Sequence, residues 1–63
     1  MNLTEFRNSP TTQEELAIEY ILEEATSFGL RQEVQETARR TKEEFPEMNL
    51  LTAYEMAFNE WVK

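Results

Sequence analysis

Apolar residues recur with a helical period most clearly in the last third of the sequence. Between residues 49 and 62 they fall within about half of a helical wheel, and polar residues cover the other half. Asn49 begins this segment and has a side chain typical of helix N-caps. The pattern predicts an amphipathic helix over residues 49–62 that supplies most of the core. Its apolar face consists of Leu50, Leu51, Ala53, Tyr54, Ala57, Phe58, Trp61 and Val62.

A second amphipathic pattern occupies residues 11–28. Thr11 and Thr12 are each followed three residues later by a glutamate, so either can form a capping box at the start of a helix. Gly29 is the single glycine of the chain and can adopt the left-handed conformation that commonly follows a helix. We therefore expect a helix over residues 11–28. Its apolar stripe consists of Ala17, Ile18, Ile21, Leu22, Ala25 and Phe28.

Residues 30–45 show the weakest of the three patterns. The apolar positions are Leu30, Val34, Ala38 and Phe45, with threonines beside them. Pro46 disfavours helical backbone at the residue before it, so a helix should end there. The pattern predicts a helix over residues 30–45 that covers only a small part of the core.

Short connections between three such helices favour antiparallel neighbours. We therefore predict an all-α fold class, with a single helical domain over residues 1–63. The architecture is a small three-helix arrangement, in which a helical hairpin is joined by the amphipathic C-terminal helix. Residues 1–10 would form an N-terminal arm whose Leu3 and Phe6 could cover an open edge. The same pattern also fits a dimer in which the third helix is exchanged.

Charge and composition exclude several classes of function. The chain has 63 residues and a formal net charge of −7, with thirteen acidic and six basic side chains. Such a surface repels phosphate backbones and anionic lipids, so neither nucleic acid nor membrane is an expected partner. The sequence has no cysteine, no signal-peptide pattern and no apolar run of about 18 residues. We expect a cytoplasmic protein without disulfides.

The residues available for chemistry are few. Neither histidine nor cysteine occurs, so the commonest general base, the thiol nucleophile and most transition-metal ligands are missing. The pair Glu14 and Glu15, with Glu19, Glu23 and Glu24 later in the same predicted helix, could bind Mg²⁺ through oxygen ligands. We favour the alternative that these glutamates cap and solvate the helix. We expect no enzymatic activity and no cofactor.

Two of these glutamates also belong to a motif-like pattern. The Glu14–Glu15 pair on one helix, followed by Glu36-x-x-Arg39 on the next, resembles the paired EE and ExxD motifs of all-α nucleotide pyrophosphohydrolases of the MazG type. The resemblance covers roughly a third of the chain and implies Mg²⁺-dependent hydrolysis of nucleotides. Arg39 stands where that pattern has an aspartate, and its positive charge disfavours a metal ion. The chain also lacks a helix or two of that fold.

Negative charge is concentrated in the first predicted helix. Residues 11–30 hold five glutamates and no basic residue, whereas residues 31–45 hold four residues of each sign. Glu15, Glu19 and Glu23 form a ridge at four-residue spacing, with Leu16 and Tyr20 beside it. Apolar anchors with a charged rim are typical of protein interfaces. In the alternative interpretation, the apolar pair meets the second or third helix and the glutamates only confer solubility.

The aromatic residues of the last helix allow two interpretations as well. Tyr54, Phe58 and Trp61 form a stripe of the kind that most often packs in a core. Trp and Tyr are also over-represented among interface hot spots, and so short a chain has little core of its own. We therefore also consider these three as contacts to a partner or to a second copy. Met56 lies on the polar side of the helix, and we expect it to be exposed.

Together these patterns predict a small acidic, non-enzymatic protein-interaction or regulatory module. It would bind a protein with a basic or neutral surface through helix faces, and it could also form a homodimer. In size and composition the chain is similar to accessory proteins of bacteriophages and to small bacterial regulators. An alternative is a nucleic-acid mimic whose carboxylates occupy a basic groove. A helix-turn-helix is disfavoured, because residues 50–63 carry two glutamates and one lysine.

Overall fold

The structure, a computed structural model, describes residues 12–62 of the chain. Helix α1 spans Thr12–Ser27, α2 spans Arg31–Glu44 and α3 spans Leu50–Trp61. No strand occurs within these residues, so the all-α prediction is confirmed. Each helix begins and ends within one residue of its predicted bounds. The predicted arm over residues 1–10 and the candidate cap Thr11 lie outside the described residues.

Helix α1 ends in a Schellman motif. Gly29 has a φ of 72°, in the left-handed region, and its amide donates to the Thr26 carbonyl at 2.9 Å. The Leu30 amide donates to the Ala25 carbonyl at 2.8 Å, which closes the wider loop of the motif. This turn places Leu30 where its side chain packs against the core. The predicted stop at Gly29 is confirmed.

Polar side chains at both ends of the turn between α2 and α3 hold it in place. The Lys42 ammonium donates to the carbonyls of Pro46 and Met48 at 2.7 and 2.6 Å. Asn49 caps α3 as predicted, because its Oδ1 accepts from a backbone amide of the first turn at 2.8 Å. The Nδ2 of Asn49 donates to Oε2 of Glu14 in α1. The starts of α1 and α3 therefore lie side by side, and α2 runs antiparallel to both.

The core is built largely from alanine. Val34 is the largest side chain that the described helices enclose completely. Helices that pack through alanine can approach closely, and α2 and α3 make the most extensive of the three helix contacts. The buried apolar residues are Ile18, Leu22, Ala25, Val34, Ala38, Ala53 and Ala57.

Helix α2 contributes more to this core than its apolar pattern indicates. Val34, Thr37 and Ala38 are all buried, so the expectation that α2 covers only a small part of the core is wrong. In α3, the fully enclosed residues are two alanines, Ala53 and Ala57. Because the side chains of α3 at this contact are small, α2 packs close to α3 and its own residues become buried. A count of large apolar residues in α2 does not reveal this.

The apolar pattern assigns Phe28 and Phe45 to the core stripes, and both assignments are wrong. Phe28 is 59% exposed and Phe45 is 51% exposed. Each residue directly follows the last residue of its helix. At Phe45 the backbone has left the helical path, with φ −125° and ψ 76°, so the side chain no longer continues the stripe. At the end of α1, Leu30 rather than Phe28 packs against the core.

Replacing Gly29 by alanine tests the end of α1. A Cβ in left-handed backbone costs roughly 1 kcal/mol, and no atom beyond the sequence neighbours lies within 4 Å of the added Cβ, so crowding contributes nothing. We expect Gly29→Ala to lower the free energy of unfolding by about 1 kcal/mol and Tm by roughly 4–8 °C. Urea and thermal denaturation measure both quantities. Gly29→Asn is the control and should lose less, and an alanine variant as stable as the parent would contradict the assigned conformation.

Candidate partner-binding surface

The three glutamates of the predicted ridge are exposed along α1. Glu15, Glu19 and Glu23 repeat every four residues, which corresponds to about 6 Å along a helix axis. Like charges at this spacing destabilise a helix by roughly 0.2–0.5 kcal/mol per pair. Helix α1 has no basic residue in its last turn to offset this repulsion. Repulsion within the ridge therefore opposes the helix, whereas the helix dipole favours Glu15 in the first turn.

Two large apolar side chains lie beside the ridge. Leu16 is 56% exposed and Tyr20 is 69% exposed. Neither side chain is buried, although each lies beside residues of α3, so both interpretations of the pair stay predictions. They lie one turn apart on the outer side of α1. We call the surface formed by Glu15, Leu16, Glu19, Tyr20 and Glu23 the α1 face.

An open depression of about 370 Å³ lies on one flank of the α1 face and brings α3 side chains to it. Leu50 and Tyr54 line it from α3, and Leu16 lines it from α1 between Glu15 and Glu19. Tyr54 is half-buried and also packs against the core. This first depression thus places an apolar surface next to two carboxylates.

A second depression of about 350 Å³ lies farther along α1. It is lined by Tyr20, Glu23, Glu24 and Ser27 from α1 and by Phe58 from α3. Phe58, like Tyr54, packs against the core with only part of its surface. The structure therefore brings every predicted site residue except Trp61 to the α1 face or to a depression beside it.

Trp61 lies apart from both depressions and connects α3 to α2. Its side chain is 44% exposed, and its indole nitrogen donates to Oγ1 of Thr37 at 2.8 Å. The Arg40 guanidinium lies 3.5 Å from the same hydroxyl. More than half of the Trp61 surface is therefore covered, and its indole nitrogen is bonded to α2. The role of Thr37 is not evident from the sequence, whose one signal of burial is its spacing three residues from Val34.

Among the depressions lined by residues 12–62, the two parts of the pyrophosphohydrolase resemblance lie in different ones. Glu15 lines the first depression, whereas Glu36 and Arg39 line a third one of about 540 Å³ between α2 and α3. Within residues 12–62, no group of three or more acidic side chains is arranged to bind a metal ion. The described residues thus give no geometric basis for the Mg²⁺ site that the resemblance implies.

No family model matches the chain, and comparisons with curated proteins and with solved structures give no match. None of the helices between residues 12 and 62 combines the length and hydropathy that a membrane span requires. Geometry and charge are therefore the only basis for a proposal about the α1 face.

A double-mutant cycle isolates the bond between Trp61 and Thr37. Trp61→Phe removes the donor, and Thr37→Val removes the acceptor while leaving the indole N–H unpaired. The double variant should lose less stability than the sum of the single variants, by about 1 kcal/mol. Urea unfolding of the four proteins gives this difference. Strictly additive losses would show that the bond contributes nothing.

Glu24 tests the electrostatic penalty at the end of α1. Its side chain is exposed in the last turn, where the helix dipole favours a cation. We expect Glu24→Lys to raise the free energy of unfolding by about 0.5–1 kcal/mol, with a smaller gain in high salt. Glu55→Lys, in the middle of α3, makes the same change in net charge and should alter stability by less than about 0.5 kcal/mol. Equal gains in the two variants would contradict a penalty specific to this helix end.

Proposed function

We propose that this chain is a small, non-enzymatic, cytoplasmic interaction module that binds another protein through the α1 face. The observation that carries the proposal is the exposure of Leu16 and Tyr20, at 56% and 69%, within a rim of carboxylates. In protein interfaces a few buried anchors, often aromatic, supply most of the binding energy and a polar rim surrounds them. The module acts as a regulatory or accessory component by occupying a surface of its partner.

The division of residues between core and surface supports this proposal. Among residues 12–62, four fully enclosed positions are alanine, while six larger apolar side chains are exposed. Burial of a leucine or an aromatic residue stabilises a fold far more than burial of an alanine. Large apolar residues normally fill the core, and exceptions to this rule concentrate at functional sites. The exposed residues are Leu16, Tyr20, Phe28, Phe45, Met56 and Trp61.

The α1 face fits a basic or neutral partner better than it fits a second copy of the chain. Two copies paired through this face would set the row of Glu15, Glu19 and Glu23 on one protomer against the same row on the other. Like charges brought together repel, and the repulsion grows as water is excluded. A homodimer of this chain would therefore use another surface.

A nucleic-acid mimic would use fewer residues of the α1 face than the proposed interaction module. A mimic needs only the row of carboxylates, which would compete with phosphates for a basic groove. It gives no role to the exposed Leu16 and Tyr20, and we rank it second for that reason. Loss of the apolar pair should leave binding by a mimic unchanged, whereas it should abolish binding by the proposed module.

The double variant Leu16→Ala/Tyr20→Ala tests the proposed function. Full-length tagged protein is used to capture partners from a lysate, and the captured proteins are quantified by mass spectrometry. We expect the double variant to retain less than about a tenth of the specific partner, because two interface anchors are worth at least about 1.4 kcal/mol together. Truncation of both side chains to alanine removes the apolar surface that the partner would cover.

Met56→Ala is the matched control for this capture. Met56 is 48% exposed on α3, as the sequence predicts, and lines neither depression beside the α1 face. The control should capture the partner as well as the parent protein does. Thermal unfolding of all variants should agree within about 0.5 kcal/mol, since each change is on the surface. Equal capture by the parent and the double variant would refute the proposal.

A further inference from the structure

The two depressions beside the α1 face have the same electrostatic character. Glu15 and Glu19 line the first and Glu23 and Glu24 line the second, and all four side chains are exposed. Of the described residues that line either depression, none is basic. The third depression, between α2 and α3, differs because Arg39 and Lys42 line it. The described lining of both depressions therefore favours a cationic ligand over an anionic one.

The apolar part of the surface sets a second requirement. Leu16 and Tyr20 are spaced by one helical turn, and each lines a depression whose other wall is an apolar residue of α3. Tyr54 forms that wall in the first depression and Phe58 forms it in the second. A ligand that fills both depressions must present apolar side chains at comparable spacing. It must therefore be amphipathic as well as cationic.

We infer that the α1 face binds a cationic amphipathic helix of a partner protein. The inference rests on the proposed function and names the chemistry of the segment that the partner contributes. Apolar side chains of that helix enter the depressions beside Leu16 and Tyr20, and its Lys or Arg side chains pair with the row of Glu15, Glu19 and Glu23. Laying an amphipathic helix into an apolar groove is a recurring mode of peptide recognition.

The secondary structure of this surface favours a helix over an extended strand as the ligand. A strand is usually recognised by main-chain pairing with a sheet edge, and residues 12–62 contain no strand that could offer one. Residues four apart on a helix are separated by about 6 Å along its axis. Cations four apart on a ligand helix lying along α1 therefore match the spacing of Glu15, Glu19 and Glu23.

The other candidate occupants fit less well. A second copy carries a net charge of −7 and would add to the negative charge that needs neutralising. The chain's own residues 1–11 contain a single basic side chain, Arg7, and one acidic side chain, Glu5. That segment cannot neutralise a row of three carboxylates. A separate cationic partner segment is the occupant that satisfies both requirements.

The test uses the full chain and a synthetic amphipathic peptide of about 14 residues, long enough to form a helix when bound. The peptide carries Leu on one face and Lys on the other, and a matched peptide has Gln in place of each Lys. Calorimetry gives the dissociation constants, and amide chemical shifts of the ¹⁵N-labelled protein locate the site. We expect the Lys peptide to bind at least about tenfold more tightly than the Gln peptide, with shifts centred on α1, Tyr54 and Phe58.

Two sets of charge variants separate a specific site from general attraction to an acidic protein. Glu15→Gln/Glu19→Gln/Glu23→Gln removes the row, and Glu47→Gln/Glu55→Gln/Glu60→Gln removes three exposed charges outside it. We expect the first set to weaken binding at least about tenfold and the second by less than about threefold. Equal losses from the two sets would overturn the inference. Shifts centred on Phe28, Phe45 or Trp61 would overturn it as well.

Two further outcomes assign the α1 face to another occupant. If Leu3→Ala/Phe6→Ala tightens peptide binding by about tenfold, the chain's own N-terminal segment occupies the face. If light scattering shows that the peptide dissociates a dimer, a second copy occupies it. Either result would refute the inference.

The partner captured in the test of the proposed function distinguishes failure of that proposal from failure of this inference. A partner that is lost with Leu16→Ala/Tyr20→Ala, but retained at high salt and with the row of glutamates removed, would support the module and refute a cationic helix. A partner that is lost with both sets of substitutions and released by salt would support both.

Discussion

The contact between α2 and α3 depends on alanine. Ala38 of α2 and Ala53 and Ala57 of α3 are fully enclosed, and Val34 is the largest side chain among them. Packed interiors tolerate neither voids nor extra methylene groups, so small side chains at these positions set how closely the two helices approach. A core of this size supplies little free energy, and polar contacts at the helix ends, including those of Lys42, add to it. Helix α1 buries only one of its sides against this pair, which leaves the α1 face available to a partner.

The bounds of the helices could be predicted because single residues determine them. Gly29 adopts the left-handed conformation that its lack of a Cβ makes accessible, and Pro46 limits α2. The Asn49 side-chain oxygen accepts a hydrogen bond from the Leu51 amide in the first turn of α3. Each effect depends on residues next to the helix end, so the local sequence is enough to predict it. The exposure of the glutamate row could be predicted for the same reason, since charged residues on one side of a helix remain in water unless they are paired.

The assignment of apolar residues to core or surface was less predictable, because it depends on how helices cross. Periodicity defines an apolar side for each helix. It does not show which large residues at the edge of that side pack against another helix and which stay exposed. Leu16 and Tyr20 stay exposed, and the importance of α2 follows from the small residues of α3 rather than from its own composition. The contact of Trp61 with Thr37 spans 24 residues of sequence, and no local pattern indicates it.

The position of Trp61 gives the chain an internal optical reporter. It is the only tryptophan, and its indole is held against α2 by a hydrogen bond, away from the depressions beside α1. Its emission therefore responds to separation of α2 from α3. Selective excitation of this tryptophan thus follows formation of the α2–α3 contact in the unmodified chain.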